Sequence, residues 1–326
     1  MARSAVLLVC LLAISPLAAT FAPGSAFARG AGGTPVALVT AESENEVLAL
    51  SLPGGRVLRR VHLPDPEAIT AGPQGDAVVV SPEGTVTLLD WRTLKVLAVL
   101  RDFRSPQIAA ITPDGEWVYV TDAATGELSV IELQTRRVVD RVYVGAGAHH
   151  LAVSPDFTRA WVGLGETADT IVVLDTSKAN RPRVIGRIHP RVAAHDLVFA
   201  PNGRTVWVSS ATARYVSVLN AHSGKLVATI SAGRGPQHVA FGAYAHAPAF
   251  ISSGYGSTLE MVNVGTRKVL RRVRVPYGSF NLATAGGLVV TSSLLTGAVD
   301  EYTTGLRRWM NVTVAPATRD VAVSVW

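Results

Sequence analysis

Asp114-Gly115-Glu116-Trp117-Val118-Tyr119-Val120-Thr121-Asp122 begins a stretch, 114–144, that lies almost residue for residue over 156–190 and again over 202–232. The same stretch continues through Leu128-Ser129-Val130-Ile131 and Arg137-Val138-Val139-Asp140-Arg141-Val142. Its third copy runs Asn202-Gly203, Thr205-Val206-Trp207-Val208-Ser209, Tyr215-Val216-Ser217-Val218-Leu219 and Lys225-Leu226-Val227-Ala228-Thr229-Ile230. The unit is about forty residues long and holds four short apolar runs split by turn residues. It recurs roughly seven times, which predicts an all-β, seven-bladed β-propeller of four-stranded antiparallel blades. No stretch keeps a helical period.

Within each unit the strands are lettered A to D from the axis outward. Strand A ends at a turn such as Pro73-Gln74-Gly75, Pro113-Asp114-Gly115, Pro155-Asp156, Pro201-Asn202-Gly203 or Gly286-Gly287. Glycine and asparagine supply the positive φ that tight hairpins need. Residues 35–63 offer only strands B, C and D. The C-terminal run Arg319-Asp320-Val321-Ala322-Val323-Ser324 matches the isolated strand A pattern of Gln237-His238-Val239-Ala240-Phe241-Gly242. The last segment is therefore expected to complete the first blade and leave no open edge in the ring. The blades then read 35–63 with 316–326, 64–103, 104–144, 145–190, 191–232, 233–275 and 276–315.

The chain opens with one cation, Arg3, then an apolar run from Ala5 to Ile14 and a small-residue stretch ending Ala26-Phe27-Ala28. This is the pattern of a secretory signal peptide over 1–28, followed by a short linker over 29–34. The propeller then occupies 35–326. The apolar run is too short to span a bilayer. The expectation is an exported protein, secreted or periplasmic. Its only cysteine, Cys10, falls inside the leader, so the mature chain has no disulfide and no thiolate ligand. The C-x-x-C-H motif is absent, which excludes covalent haem.

Tyr119-Val120-Thr121-Asp122 resembles the signature of the YVTN-family β-propellers, with Asp122 in place of the final Asn. Ser154-Pro155-Asp156 and Val216-Ser217-Val218-Leu219 are similar to the family's flanking pattern, and the resemblance covers essentially the whole mature chain. It implies an exported bacterial or archaeal binding protein. Related seven-bladed propellers include sugar-lactone hydrolases and the haem-binding half of a nitrite reductase, so the fold does not choose a chemistry.

A propeller's natural site is the mouth of its central channel, where strand A begins. Aligning the seven A strands gives one column of Glu67, Gln107, His149, His195, Gln237, Phe280 and Arg319. The next is Ala68, Ile108, His150, Asp196, His238, Asn281 and Asp320. Four of the eight histidines fall in these two columns. Neighbouring residues on a strand face opposite ways, so one column should line the channel and only one of His149 and His150 should reach it. The second column is the expected site: His150, Asp196, His238, Asn281 and Asp320. Glu67, His149, His195 and Gln237 are secondary candidates.

Imidazole and carboxylate suit a divalent metal, with His150 and His238 as its ligands, or a polar small molecule. The competing reading is that polar side chains here bond to neighbouring blades. Three alternatives in function follow. The first is a binding scaffold for a small molecule, an unknown protein or an envelope polymer, expected to be a monomer without a membrane span. The second is a metal-dependent lactone hydrolase drawing on Glu67, Asp196, Asn281 and Asp320. No G-x-S-x-G run or other nucleophile motif supports an enzyme further.

The third alternative uses cations near the C–D turns, among them Arg56, Arg59, Arg60, Arg136, Arg137, Arg267, Lys268, Arg271, Arg272, Arg307 and Arg308. They form a basic rim suited to nucleic acid or an anionic envelope. The net charge of +6 permits such binding without requiring it. Sparse, strand-bound aromatics argue against stacking on bases. Trp117, Trp161 and Trp207 are expected to pack between blades. Insertions at Gly165–Thr170 and Ser177–Arg183 mark the fourth blade as the one with added loops.

Overall fold

A computed structural model describes residues 35–242 and 247–325. The leader and linker expected over 1–34 lie outside the described residues. Seven separate four-stranded antiparallel sheets form the ring, each paired in the order A-B-C-D. Strand A of every blade touches strand A of the next, all the way round. Blade 1 takes its strand A from Val321–Val325, which pairs antiparallel with Pro35–Ala41. The ring is closed by the chain's own end, as the sequence leads one to expect. No helix among the described residues is long and apolar enough to cross a membrane.

The core is not one mass. Seven hydrophobic clusters lie one at each blade–blade junction. Strand B is packed on both faces, so its residues read as a buried run, unbroken in Leu288–Ser293 and in Trp117–Asp122 from Val118 onward. Trp161 meets Phe199 of the next blade edge-on at 5.7 Å, and Trp207 meets Phe241 at 5.0 Å. Tryptophan thus does pack between blades. Each such pair adds on the order of 1 kcal/mol beyond the apolar area it buries.

The residues of the Tyr119–Asp122 run acquire specific jobs. Tyr119 is fully buried and its hydroxyl donates to the Ala179 carbonyl in the second insertion of blade 4. Thr121 donates to the His149 carbonyl of the next blade at 2.6 Å. The same strand B position repeats the bond as Thr40 to Glu67, Ser209 to Gln237, Ser252 to Phe280 and Ser292 to Arg319. Asp122 accepts from the backbone N–H groups of Arg104 and Ser105, which tethers the loop leading into its own strand A. These hydroxyls stitch five of the seven junctions at the level where the candidate site begins.

Strand D is the exposed edge, and it carries one device seven times. In every blade the C–D register slips by one residue at the same place. The extra residues are Leu58, Leu97, Val139, Ile185, Val227, Leu270 and Trp309. All but Leu97 stand exposed on the outer wall. A bulge breaks the ladder and bends the strand, which hinders pairing with another chain. Several rim cations turn inward to strand C: Arg60 to Glu46 at 2.8 Å, Arg141 to Glu127 at 3.6 Å and Arg272 to Glu260 at 2.6 Å.

Candidate functional site

A cavity of about 330 Å³ opens on the ring axis, and all five residues of the expected site line it: His150, Asp196, His238, Asn281 and Asp320. Blades 4, 5, 6, 7 and 1 contribute one each. The side chains divide at once into two kinds.

Asp196, Asn281 and Asp320 are staples between blades. Asp196 accepts from the N–H of Leu197 at 2.8 Å and from Val239 of the next blade at 3.1 Å. Asp320 repeats this with Val321 at 2.8 Å and Ile69 of the next blade at 2.9 Å. Asn281 donates to the Arg319 carbonyl of the next blade at 2.8 Å. The two aspartates satisfy backbone N–H groups that the start of a strand would otherwise leave bare in a buried place, and Asn281 adds a second donor to the carbonyl that Ser292 also serves.

The histidines are less fully employed: His195 reaches the Glu166 carbonyl and His238 the Asp196 carboxylate, while His149 Nδ1 and His150 Nε2 have no hydrogen-bond partner. His149 and His150 come from blade 4, His195 from blade 5 and His238 from blade 6. Their ring centroids are 4.5 Å apart for His149–His150 and His150–His195, 5.2 Å for His195–His238 and 5.7 Å for His150–His238. Of His149 and His150 only His150 lines the cavity, as expected. Strand A of blade 4 (Ala148–Val153) slips register between Ala148 and Leu151. His149 and His195, from the column expected to point away, are not among the lining residues but pack their rings against His150.

Electrostatics distinguish the four rings. Burial lowers His149 to about 4. Burial also holds His150 well below the usual 6.5, with the neighbouring imidazoles pushing the same way. His195 is lowered by burial and by His238. Its Nδ1–H donates to the Glu166 carbonyl at 2.9 Å, because a carbonyl can only accept, and Nε2 is left as a lone-pair donor. Burial opposes charge on His238 too, but the Asp196 carboxylate 3.6 Å away overcomes it and raises this imidazole. Asp196 is correspondingly lowered against burial, by His238 and the Val239 N–H. Asp320 lacks so close a cation, and burial raises it.

A pH titration followed by imidazole ¹⁵N shifts should separate these groups. His238 is expected to keep its proton to higher pH than a free histidine, and His149 to lose its own near 4. A His238 that titrates below His149 would reverse this assignment. For His149 the folded value lies below the unfolded one, so its contribution is intact above pH 6.5 and is lost as pH falls toward 4. Over that window the loss is about 3 kcal/mol.

The secondary candidates divide as well. Gln237 is buried and accepts from the Gly254 N–H at 3.1 Å, a structural use. Glu67 pairs with Arg319 at 3.0 Å, and Arg319 also holds Glu42 at 2.9 Å. Among the described residues, Glu42, Asp65 and Glu67 are the one trio whose ligand atoms all lie within 4.8 Å of one another. Arg319 already neutralises part of that charge. Glu67, Asp196 and Asp320 form no such trio, so the carboxylates a lactone hydrolase would draw on are dispersed around the ring.

Sequence reasoning marked the blade 4 insertion as an added loop without naming a contact for it. Ala168 pairs with Ala194 as an isolated bridge, which brings Glu166 over His195. The signal was the position of Gly165–Thr170 at the B–C turn of the blade that carries two histidines. On the other side of the mouth, Phe280 lies against Gly254, where a Cβ would fall 2.1 Å from the ring. Tyr255 meets Phe280 at 4.9 Å.

No family model matches the chain, and no curated protein matches it in sequence. Among solved structures it is similar to a functionally unknown protein from Desulfotomaculum acetoxidans. The TM-score is 0.76 at 13% identity, over 88% of this chain and 98% of that one. It is also similar to apo AztD from Citrobacter koseri, with TM-score 0.71 and 10% identity over 90% and 98% of the two chains. A third is the dihydro-heme d1 dehydrogenase NirN in complex with DHE, with TM-score 0.64 and 16% identity over 88% and 74%. At these identities the likeness is one of fold.

Proposed function

We propose that this protein is an exported, YVTN-like binding protein whose ligand enters the strand A mouth and is held by imidazoles. The supporting observation is the meeting of four histidines from three blades, two of them with a buried nitrogen that has no hydrogen-bond partner: His149 Nδ1 and His150 Nε2. A buried polar atom without a partner costs about 1–3 kcal/mol, so a ligand that satisfies it has a ready source of affinity. Burial keeps His149, His150 and His195 in the neutral form that coordinates metals. The Glu166 carbonyl behind His195 is the kind of outer support that fixes a metal-binding tautomer.

The ligand class is a divalent transition metal ion, for which imidazole is a suitable donor. A cavity of about 330 Å³ lies near the low end of ligand pockets, which favours an ion or small molecule over a macrocycle. The imidazole nitrogens do not already form a trio within 4.8 Å, so capture requires the rings to turn toward the ion.

The test is metal content of the protein purified from its native host without chelator, followed by titration of the stripped protein with Zn²⁺, Cu²⁺ and Ni²⁺. One stoichiometric equivalent is expected. His150→Gln with His195→Gln should weaken it by more than the roughly 10–100-fold that losing an outer-shell partner costs. This pair leaves the Asp196–His238 contact intact, and His222→Gln, on the outside, serves as control. No stoichiometric uptake, or uptake that the double variant leaves unchanged, would overturn the metal reading.

A further inference from the structure

The outer wall of blades 6 and 7 is unlike the rest of the ring. Its bulge residues, Leu270 and Trp309, are the most exposed of the seven, at 56% and 57%. Six exposed cations surround them: Lys268, Arg271, Arg272 and Arg274 on one blade, Arg307 and Arg308 on the next. From Met261 to Arg319 the only acids are Asp300 and Glu301, and both are fully buried. Arg272 is paired with buried Glu260, yet its side chain remains 53% exposed. Arg271 reaches across to the Gly305 carbonyl at 3.1 Å, which brings the two strands' cations into one continuous sector.

Solvation and edge protection explain a scattered arginine, but they do not explain an exposed tryptophan and leucine ringed by cations with no accessible acid. Cations beside a Trp and an aliphatic side chain match the boundary of an anionic bilayer. There the guanidinium and ammonium groups meet phosphates, and the indole and leucine enter the headgroup layer. Nucleic acid fits less well, because Trp309 is the only exposed aromatic on strand D of these two blades, the exposed Tyr255 and Tyr277 lying together beside Phe280 at the mouth, and single strands are held by several stacking rings.

We infer that the sector around Leu270 and Trp309 docks the protein reversibly onto membranes rich in anionic lipid. It lies on the outer wall and leaves the mouth of the ring uncovered. It is independent of the histidine cluster, so the failure of either proposal leaves the other standing.

Vesicle flotation with the full mature chain tests it, comparing phosphatidylcholine alone with phosphatidylcholine containing phosphatidylglycerol. Binding is expected only to the anionic vesicles, with a blue shift of Trp309 fluorescence that Trp309→Phe removes. Each cation lost should weaken binding about fivefold. Arg271→Glu with Arg308→Glu should therefore abolish flotation while circular dichroism stays native, and raised salt should release the wild type. Absence of binding would overturn the inference, as would equal binding to both vesicles. So would retention on a polyanion such as heparin or DNA without flotation, which would assign the sector to a polymer instead.

Discussion

Removal of Val321–Trp326 is expected to abolish cooperative folding. The segment supplies strand A of blade 1, and no other part of the chain can take its place in the ring. Its register with Pro35–Val39 contributes five residue pairs. Val321 is 4% exposed and belongs to the blade 7–blade 1 cluster, and Ala322 at 9% belongs to the blade 1–blade 2 cluster. Burying one valine is worth about 2 kcal/mol, and a net ladder hydrogen bond about 1 kcal/mol. The sum is on the order of 5 kcal/mol, against a total stability of about 5–15 kcal/mol for a native protein.

The loss also has a topological side. In most repeat arrays a missing terminal unit shortens the array, but here both ends meet in one sheet, so two junctions weaken together. The backbone of Pro35–Ala41 would become an open edge facing the channel, a template for pairing with a second chain. Urea unfolding and size-exclusion chromatography of the truncated chain decide the matter. A broad or absent transition with soluble oligomers is expected. A midpoint equal to that of the full chain would show that closure contributes nothing.

Closure was legible in the sequence because it needs only counting: three strands at the start, one at the end, and a matching pattern between Arg319–Ser324 and Gln237–Gly242. The columns at the mouth were legible for the same reason, since the repeat aligns them. So was the orientation of the second column, which lines the cavity. What stayed hidden is that His149 and His195 meet it ring to ring, beside register slips within strand A between Ala148 and Leu151, Pro106 and Ala109, and Ser279 and Asn281. A slip changes which face a side chain takes while leaving the residue pattern almost unaltered.

The roles of Asp196 and Asp320 were hidden for a different reason. Their second backbone partners, Val239 and Ile69, are 43 and 251 positions away and lie on the neighbouring blade. Nothing local marks such a bond. The strand D bulges are a nearer miss. An apolar residue recurs at one offset in every blade, Leu58 through Trp309, and the repeat alignment contains it. What the alignment lacks is the knowledge that this residue has no partner across the ladder.

Asp196→Ala should be among the most damaging single substitutions in the chain. Three groups depend on this carboxylate: the N–H of Leu197, the N–H of Val239, and the His238 imidazole. An unsatisfied buried donor costs about 1–3 kcal/mol, and breaking a buried charge pair about 3–5 kcal/mol. These costs overlap, because the carboxylate is the shared partner, so a loss of about 5 kcal/mol is expected. Asp320→Ala supplies the comparison. It removes the same kind of double backbone staple without so close an imidazole, and should cost about 2–3 kcal/mol. The difference between the two variants measures what His238 adds.

The pH dependence of that difference has a definite sign. Asp196 is lowered in the folded state, so its contribution is present above 3.8 and lost as pH falls through the folded value. His238 is raised, so its contribution is complete below 6.5 and lost as pH rises through the folded value. The pair therefore stabilises most between about pH 4 and 6.5 and less in mild alkali. Urea midpoints of wild type and Asp196→Ala, measured across that span, should be furthest apart on the acid side of neutrality and converge in part by pH 9. A gap that stays constant with pH would mean that the carboxylate acts only on the backbone. In that case all four histidines would be neutral, and the mouth would present an uncharged imidazole cluster to its ligand.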